Sequence, residues 1–252
     1  METEKPLEKV ALITGGAVRI GASLVKHLHK AGYNIALHYH HSKNSAEALT
    51  VELNKIRANS VYCIKADLLD NMAIDMLVKK TLTHWGKLDV LINNASSFFP
   101  TPLPNINEKQ WRDIMGTNAY APIFLSKACS SSLKISKGCI INISDIVANT
   151  GRKNFLIYSM AKAALNNLTR SLALELAPEI RVNALAPGVI LPPNFSNSRG
   201  EAKADELKPL SISCLNYAGK AEDIAYAAVF LINNTYTTGQ VLNVDGGRHL
   251  KF

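Results

Sequence analysis

The chain has 252 residues, of which 47% are hydrophobic and 19% are charged, which provides for one large apolar core and argues against a disordered protein. Its formal net charge of +8 favours anionic partners, but the basic residues are scattered and form no DNA- or RNA-binding motif. No stretch approaches the roughly 18 apolar residues that a membrane span requires. We therefore expect a protein that binds neither nucleic acid nor a membrane.

Cysteine usage and the N-terminal segment bear on metal binding and location. The four cysteines form no Cys-x-x-Cys pair, and no His/Cys cluster has the spacing of a zinc site. The segment METEKPLEKV is charged and contains no apolar signal sequence. We expect no metal site, reduced thiols and a cytoplasmic location.

Short apolar runs alternate with amphipathic helical runs along the chain. Strands are predicted at 10–14, 34–40, 60–66, 88–95, 138–144, 180–187 and 239–247. Helices are predicted at 22–32, 45–59, 71–86, 111–133, around 158–162, and at 222–234. This order predicts a single α/β domain over 1–252, a Rossmann-type doubly wound parallel sheet of seven strands. Residues 192–219 interrupt the pattern with Pro, Asn, Ser and Gly and are predicted to form a substrate or lid loop.

The first predicted strand is followed by the glycine-containing segment TGGAVRIG, residues 14–21. Glycines permit a tight turn and the close approach of a pyrophosphate, whose negative charge is favoured at a helix N-terminus. The spacing is not Gly-x-Gly-x-x-Gly, so an ordinary strand-to-helix turn is the alternative interpretation. Its position after the first strand of a doubly wound chain favours a cofactor turn.

The end of the second predicted strand indicates which nicotinamide cofactor is preferred. NAD-binding chains commonly place an acid there to bind the ribose 2′-hydroxyl, but no acid lies between Lys30 and Glu47. The residues that could instead donate hydrogen bonds to a 2′-phosphate are His40, His41, Ser42 and Lys43. This favours NADP(H), with ordinary surface residues as the alternative.

Tyr158 and Lys162 are four residues apart in a predicted helix and therefore share one face. A neighbouring ammonium is expected to lower the tyrosine pKa from about 10, so that Tyr158 acts as a proton donor or acceptor. Asp145 lies thirteen residues before the tyrosine, at the end of the apolar run CIINIS. We expect this carboxyl to supply or relay a proton; a helix-capping or salt-bridged role is the alternative.

Together these motifs make the whole chain resemble the classical short-chain dehydrogenase/reductase family. The supporting segments are TGGAVRIG (14–21), ADL (66–68), NNA (93–95), YSMAK (158–162) and PG (187–188), with Asn118. The resemblance implies a seven-stranded Rossmann sheet, usually in a homotetramer, that binds a nicotinamide cofactor. A Tyr-x-x-x-Lys pair alone is common by chance, and its specificity comes from the order of all these segments.

The resemblance also implies a role for each matching residue. Tyr158 would donate the proton, Lys162 would bind the ribose and tune the tyrosine, and Asn118 would help to hold a proton-relay water. The residues implied to contact the cofactor are Gly15, Arg19, Ile20 and Gly21 at the pyrophosphate, Asp67 and Leu68 at the adenine, and Asn94 and Ala95 at the nicotinamide-side ribose, with Ser96, Pro187 and Gly188 completing the set.

Two departures from the common family pattern make the chain similar to the pteridine reductases. Asp145 replaces the usual serine, and Arg19 replaces the middle glycine of the cofactor turn. The segment NNASSFFPTPLP (93–104) resembles their pterin-binding segment, and the closing DGGRHL resembles bacterial dihydromonapterin reductases. The segment LHYHHS resembles their NADPH-phosphate loop, which adds His38 and Tyr39 to the expected cofactor contacts.

This resemblance implies an NADPH-dependent reductase of dihydropterins, with dihydrofolate as a further candidate substrate. A flat pterin can stack on Phe98, and its amino and carbonyl groups need polar partners such as Ser96 and Arg19. Reduction of its C=N bond requires a hydride at carbon and a proton at nitrogen, which Tyr158 and Asp145 would deliver.

Two positions differ from the trypanosomatid pteridine reductases, and two other functions remain open. Those enzymes carry an arginine where this chain has His41, which bears on the expected affinity for NADPH. They carry a serine where this chain has Ile190, which bears on the expected substrate preference. The first alternative is a short-chain reductase of carbonyl substrates, such as 3-oxoacyl thioesters or quinones. The second is a catalytically idle Rossmann module that binds a nucleotide, because the fold alone does not imply activity.

Overall fold

The computed structural model describes residues 8–190 and 213–251. Seven strands form one parallel sheet. They are β1 (Val10–Ile13), β2 (Asn34–Tyr39), β3 (Val61–Lys65), β4 (Val90–Asn93), β5 (Cys139–Ile143), β6 (Arg181–Pro187) and β7 (Val241–Val244). Their order in the sheet is β3-β2-β1-β4-β5-β6-β7, and every neighbouring pair is parallel. The predicted doubly wound sheet of seven strands is confirmed.

Eight helices connect or follow these strands in the described part of the chain. They are α1 (Arg19–Lys30), α2 (Lys43–Ile56), α3 (Asn71–Trp85), α4 (Glu108–Met115), α5 (Ala121–Ile135), α6 (Val147–Thr150), α7 (Leu156–Leu176) and α8 (Ala221–Asn233). A π-helical segment, Gly116–Tyr120, joins α4 to α5, and short 3₁₀ turns lie at Leu103–Asn105 and Arg248–Lys251.

The core lies on both faces of the sheet, because alternate strand residues point to opposite sides. One cluster packs β1, β2 and β5 against α1, α2 and α8 through residues such as Leu24, Leu49 and Ile224. The second packs the other face against α3, α5 and α7 through residues such as Leu77 and Leu125. Strands covered on both faces explain the nearly continuous apolar runs of the sequence.

Two local features differ from the sequence expectation. The predicted helix 111–133 starts earlier, because Asn107 and Gln110 form a capping box in which each side chain bonds the other's backbone N–H. The π-helical segment then interrupts it, and Gly116 in that segment lies directly against Leu69. The short helix α6, just after Asp145, was not predicted at all.

The predicted lid, 192–219, lies largely outside the described residues, which resume at Ser213. Among the residues that the structure does describe, no helix combines the length and the apolarity needed to cross a bilayer. These residues also contain no group of three or more acidic, histidine or cysteine side chains placed to hold a metal ion.

Candidate active site

A large cavity opens at the carboxyl ends of the strands, where the strand order reverses between β1 and β4. Crevices at this switch point are the usual ligand sites of open α/β sheets. Its volume of about 1110 Å³ exceeds the roughly 300–1,000 Å³ of sites for one small molecule, so it has room for a cofactor and a substrate together. The predicted site residues that line it are Gly15, Arg19, Ile20, Gly21, His38, His40, His41, Ser42, Asp67, Leu68, Asn94, Ala95, Ser96, Phe98, Asp145, Tyr158, Lys162, Pro187 and Gly188.

The cofactor turn depends on close backbone packing between its two ends. A Cβ atom on Gly21 would lie 2.1 Å from the Gly15 carbonyl oxygen and 2.8 Å from Asn94 Nδ2, so only glycine fits. Gly15 has a φ of 61°. Arg19 also has a left-handed φ, 52°, at the first residue of α1, a conformation that glycine adopts more easily. The backbone therefore keeps the glycine-like geometry while the side chain adds a guanidinium to the cavity wall.

Hydrogen bonds from the end of β4 hold this turn. The Asn94 amide donates to the carbonyls of Thr14 (2.8 Å) and Gly15 (3.1 Å). Thr14 Oγ1 in turn accepts from the backbone N–H groups of Asn94 (2.9 Å) and Ala95 (3.0 Å). The Asn94 side chain thus shapes the turn from within the protein, in addition to the cofactor contact expected from the sequence.

His38 supports the same turn from β2. Its Nδ1 accepts from the Gly15 N–H at 3.1 Å, so its Nε2 carries the proton and donates to the Ala66 carbonyl at 3.1 Å. Burial lowers the pKa of His38 to about 4, which keeps the ring neutral. Both ring nitrogens are therefore engaged within the protein. The ring of Tyr39 packs into the core beside α1 and α2, and it is not among the residues that line the cavity.

The loop after β2 faces the cavity with polar and basic groups. The rings of His40 and His41 contact each other with centroids 3.8 Å apart and a tilt of 32°, and Ser42 precedes the first turn of α2. Lys43 is exposed and lies 3.7 Å from Glu47 of the same helix. A phosphate on this loop would meet imidazole, hydroxyl and ammonium donors together with the α2 N-terminus.

Asp145 and Tyr158 meet directly, although they belong to different elements. Asp145 follows β5 and Tyr158 lies in the first turn of α7, and the tyrosine hydroxyl donates to Asp145 Oδ2 at 3.0 Å. The other carboxyl oxygen accepts from the Val147 N–H at 3.0 Å. Burial raises the pKa of Asp145, although that N–H and the Lys162 ammonium oppose the rise. The carboxyl thus holds a proton more readily than an exposed aspartate does.

The expected lowering of the Tyr158 pKa is wrong. Burial raises this pKa, and the negative Asp145 adds to the rise, while the Ser96 hydroxyl and Arg152 offset part of it. Lys162 is fully buried, and the loss of hydration lowers its own pKa to about 8. Its Nζ donates to the Ile143 carbonyl at 2.9 Å and lies 5.5 Å from the centroid of the tyrosine ring. The ammonium is held beside the ring rather than at the phenol oxygen.

Ser96 lines the substrate end of the cavity, and the buried Asn118 lies behind it and does not line the cavity. The Ser96 hydroxyl donates to Asn118 Oδ1 at 2.7 Å, and Asn118 Nδ2 donates to the carbonyls of Ser97 and Ile114. The Asn118 side chain therefore has protein partners at both polar atoms and positions Ser96. A contact between Asn118 and a relay water stays a prediction.

Phe98 provides an aromatic surface at the substrate end. One side of its ring stacks on Phe155 with centroids 4.7 Å apart and an angle of 16°, and it meets Tyr158 in an edge-to-face contact at 4.8 Å. Phe98 remains 48% exposed although it lines the cavity. A planar ligand could therefore extend this stack beside the tyrosine hydroxyl.

Several lining residues were not part of the predicted site. Asp113 and Thr117 face the cavity beneath Ser97, whose hydroxyl donates to Asp113 Oδ1 at 2.9 Å. Arg152, Lys153 and Arg248 place further positive charge at its substrate end, and Arg248 belongs to the closing segment DGGRHL. Arg152 lies between Asp145 and Tyr158 in the sequence, and this position was the one sequence feature that could have indicated a place near the active site.

Comparisons with known proteins agree with this architecture. A protein-family model described as enoyl-(acyl carrier protein) reductase matches residues 16–249. Pteridine reductase 1 of Leishmania tarentolae is 35% identical, over 98% of this chain and 99% of the relative. The 3-oxoacyl-(acyl-carrier-protein) reductase FabG of Staphylococcus aureus is also 35% identical, over 97% and 99%, and that of Staphylococcus epidermidis is 33% identical, over 97% and 100%.

The names of these relatives state different substrates at the same level of identity. The comparisons therefore support the common fold and reaction class rather than a pterin or a 3-oxoacyl thioester in particular. Full-length relatives, a family model over nearly the whole chain and the parallel seven-stranded sheet agree with one another. The chain belongs to the short-chain dehydrogenase/reductase family of oxidoreductases.

Proposed function

We propose that this protein is an NADPH-dependent reductase of dihydropterins, which it converts to tetrahydropterins, with dihydrofolate as a further substrate. The observation that carries the proposal is the hydrogen bond between the Tyr158 hydroxyl and Asp145, 3.0 Å long, beside the half-exposed ring of Phe98. This arrangement supplies a proton source with two acidic groups and an aromatic surface for a flat ring.

The residues at the cofactor end fit a nicotinamide dinucleotide phosphate. The close approach of Gly15 and Gly21 leaves the backbone open to a pyrophosphate at the start of α1, and the basic loop after β2 suits a 2′-phosphate. When bound, NADPH supplies the hydride. The residues that would hold it are those of the cofactor turn, of the β2 loop from His40 to Lys43, and of the ends of β4 and β6.

Reduction of a C=N bond needs a proton at nitrogen as well as a hydride at carbon. The pKa values of Asp145 and Tyr158 are both raised, so each group holds its proton more readily than it would when exposed to water. Asp145 is bonded to the tyrosine hydroxyl, so a proton given to the ring nitrogen can be replaced through the pair. Lys162 places a cation beside the pair from the interior, where it favours the proton-depleted carboxylate.

The other polar groups suit the edges of a pterin. Ser96 is held by Asn118 and so presents a fixed hydroxyl, and Arg19 presents donors from the cofactor turn. Phe98 offers its ring to one face of the substrate.

The strongest competing function is reduction of 3-oxoacyl thioesters. It is favoured by the relatives with that activity in their names, which are as similar as the pteridine reductase. A ketone needs only to be polarised and protonated at oxygen, for which a serine hydroxyl and a tyrosine suffice, and this explains neither Asp145 nor the Phe98 stack. A catalytically idle module is less well supported, because it gives no reason for a buried Asp145–Tyr158–Lys162 group.

A homotetramer in the cytoplasm is part of the proposal. In its support, the outer faces of α5 and α7 expose large apolar side chains, including Ile123 (44%), Met160 (46%) and Leu174 (84%). Exposed apolar side chains of this size on neighbouring helices are typical of subunit interfaces.

A steady-state panel tests the proposed substrate. Purified protein is given dihydrobiopterin, dihydrofolate or a 3-oxoacyl thioester, each with NADPH and with NADH, and we expect the pterins with NADPH to be turned over best. Asp145→Ser is expected to lose pterin reduction by about 100-fold or more while NADPH still binds, because the proton source is removed.

Asp145→Asn is the matched control, because its amide oxygen can still accept from the Val147 N–H while its NH2 group donates to the Tyr158 hydroxyl, and its side chain carries no acidic proton. We expect it to lose pterin reduction as well, which would separate proton supply from positioning. If Asp145→Ser reduces dihydropterin at the parental rate, the role given to Asp145 is wrong. Preferred turnover of the oxoacyl thioester would establish the competing function instead.

A further inference from the structure

Two arginines lie at the substrate end of the cavity, beyond the groups used in the proposed reaction. Arg152 belongs to the turn before α7, and Arg248 begins the 3₁₀ turn after β7, so residues far apart in sequence converge on one wall. The third cation there, Lys153, also lines the cavity. The carboxylate of Asp145, which lines the same cavity, is already hydrogen-bonded to Tyr158 and to Val147.

Aromatic rings hold Arg152 in place. Its guanidinium carbon lies 4.4 Å from the ring centroid of Phe155 and 5.5 Å from that of Phe98. A guanidinium that lies over aromatic faces keeps its N–H groups directed outward at the ring edge. No ion pair joins Arg152 to a carboxylate within residues 8–190 and 213–251. The cation is therefore exposed beside the ring on which we expect the substrate to stack.

The turn that carries Arg248 is fixed by Asp245. Asp245 Oδ2 accepts from the backbone N–H of His249 at 2.7 Å, and its Oδ1 accepts from the Gly247 N–H at 3.0 Å. Burial lowers the pKa of Arg248, and the positive Arg152 lowers it further, while the carboxylates of Asp145 and Asp245 raise it. The two arginines are therefore close enough for their charges to interact.

We propose that Arg152, with Arg248, recognises a carboxylate on the side chain of the pterin and so favours folate-type substrates over pterins with neutral side chains. The inference rests on the proposed pterin-reducing function. A pterin stacked on Phe98 would direct its side chain out of the cavity, past the aromatic rings that support Arg152. A planar guanidinium pairs well with a carboxylate, because two parallel N–H···O bonds form at once. Arg152 is thus a specificity-determining residue.

The test compares two substrates in one enzyme. Steady-state kcat/KM is measured for dihydrofolate and for dihydrobiopterin, whose side chain is neutral, in the unmodified protein and in Arg152→Leu. We expect the ratio of the two kcat/KM values to fall by about tenfold in the variant, mainly through the KM for dihydrofolate. Because both values come from the same protein, a general disturbance of Phe98 would lower both and leave the ratio unchanged.

Two further variants control for charge and shape. Arg152→Lys keeps the positive charge but lacks the planar guanidinium, so its ratio of kcat/KM values should lie between those of the unmodified protein and Arg152→Leu. Arg112→Leu removes an exposed arginine of α4 that does not line the cavity, and it should leave the ratio as it is. An unchanged ratio in Arg152→Leu, with both pterins still reduced, overturns this inference alone. If the unmodified protein reduces neither pterin, the proposed function fails and the inference fails with it.

Discussion

The cofactor end and the substrate end of the cavity are built in different ways. At the cofactor end, the polar groups of the turn bond mainly to one another: Asn94 and Thr14 join β4 to the turn, and His38 joins it to β2. At the substrate end, Phe98, Ser96 and Arg152 are exposed and held by aromatic contacts or by single hydrogen bonds. The geometry of the cofactor end is therefore part of the fold, whereas the side chains of the substrate end can be replaced with little effect on the fold.

This difference has a physical origin. Backbone that approaches a diphosphate must be placed by the sheet itself, so its geometry is coupled to the free energy of folding. Side chains that select a substrate need only to reach the cavity, and their replacement changes few core contacts. We therefore expect substitutions in the cofactor turn to change stability and activity together, and those at the substrate end to change activity alone.

Gly21→Ala should have the largest effect. Its Cβ would lie 2.1 Å from the Gly15 carbonyl oxygen, so the turn must open. We expect NADPH affinity to fall by about 100-fold and the free energy of unfolding by roughly 3 kcal/mol. Isothermal titration with NADPH and urea denaturation measure the two quantities.

Gly32→Ala is the matched control for the first prediction. Gly32 has a φ of 91° and no atom within 4 Å of an added Cβ, so the variant adds backbone strain without a contact in the turn. It should lose stability but keep NADPH affinity. An unchanged affinity in Gly21→Ala would contradict the view that the turn is built by close packing.

Phe98→Ala should have an intermediate effect, confined to the substrate. We expect the KM for dihydropterin to rise about tenfold, because the aromatic stack is lost, while the free energy of unfolding changes by less than about 1 kcal/mol. Phe98 is 48% exposed, and Phe230→Ala on α8, at 56% exposure, is a control of similar size away from the cavity. A loss of stability in Phe98→Ala as large as that in Gly21→Ala would remove the distinction between the two ends.

Lys162 joins the two regions, and its effect on stability should depend on pH. Its folded pKa of about 8 lies below its usual value of 10.5, because the charged form is buried. Below pH 8 the lysine is protonated in both folded and unfolded chains, and the folded state bears the full cost of burying the charge. Between these pKa values the unfolded chain binds more protons, so stability rises with pH.

Lys162→Met removes this titration. The free energy of unfolding of the unmodified protein, relative to the variant, should therefore increase by about 2 kcal/mol between pH 7 and pH 10 without cofactor. Urea denaturation at both pH values measures this difference, and subtraction of the variant cancels the titration of other groups. A difference that stays constant with pH would show that Lys162 keeps its charge in the folded protein.

Much of the fold was predictable because its signals are local or periodic. Buried parallel strands appear in the sequence as apolar runs such as CIINIS. Seven such runs that alternate with helices are compatible with only a few sheet topologies, and the doubly wound sheet is one of them. Helix ends were predicted less well: Asn107 and Gln110 start α4 through a reciprocal cap, and the π-helical segment depends on packing at Gly116. The structure likewise revealed α6, a single turn whose start is set by the Asp145 side chain.

The sequence by itself determined the reaction class, since the spacing of Tyr158, Lys162 and Asp145 and the glycine turn are properties of one chain in order. Only the tertiary structure decided the electrostatic character of these groups. Lys162 was expected to lower the tyrosine pKa, but burial and the nearby carboxylate raise it instead. It also decided that His38 braces the turn and that Arg152 faces the cavity beside Phe98. Spacing fixes which residues can meet, whereas desolvation and the direction of each hydrogen bond depend on everything packed around them.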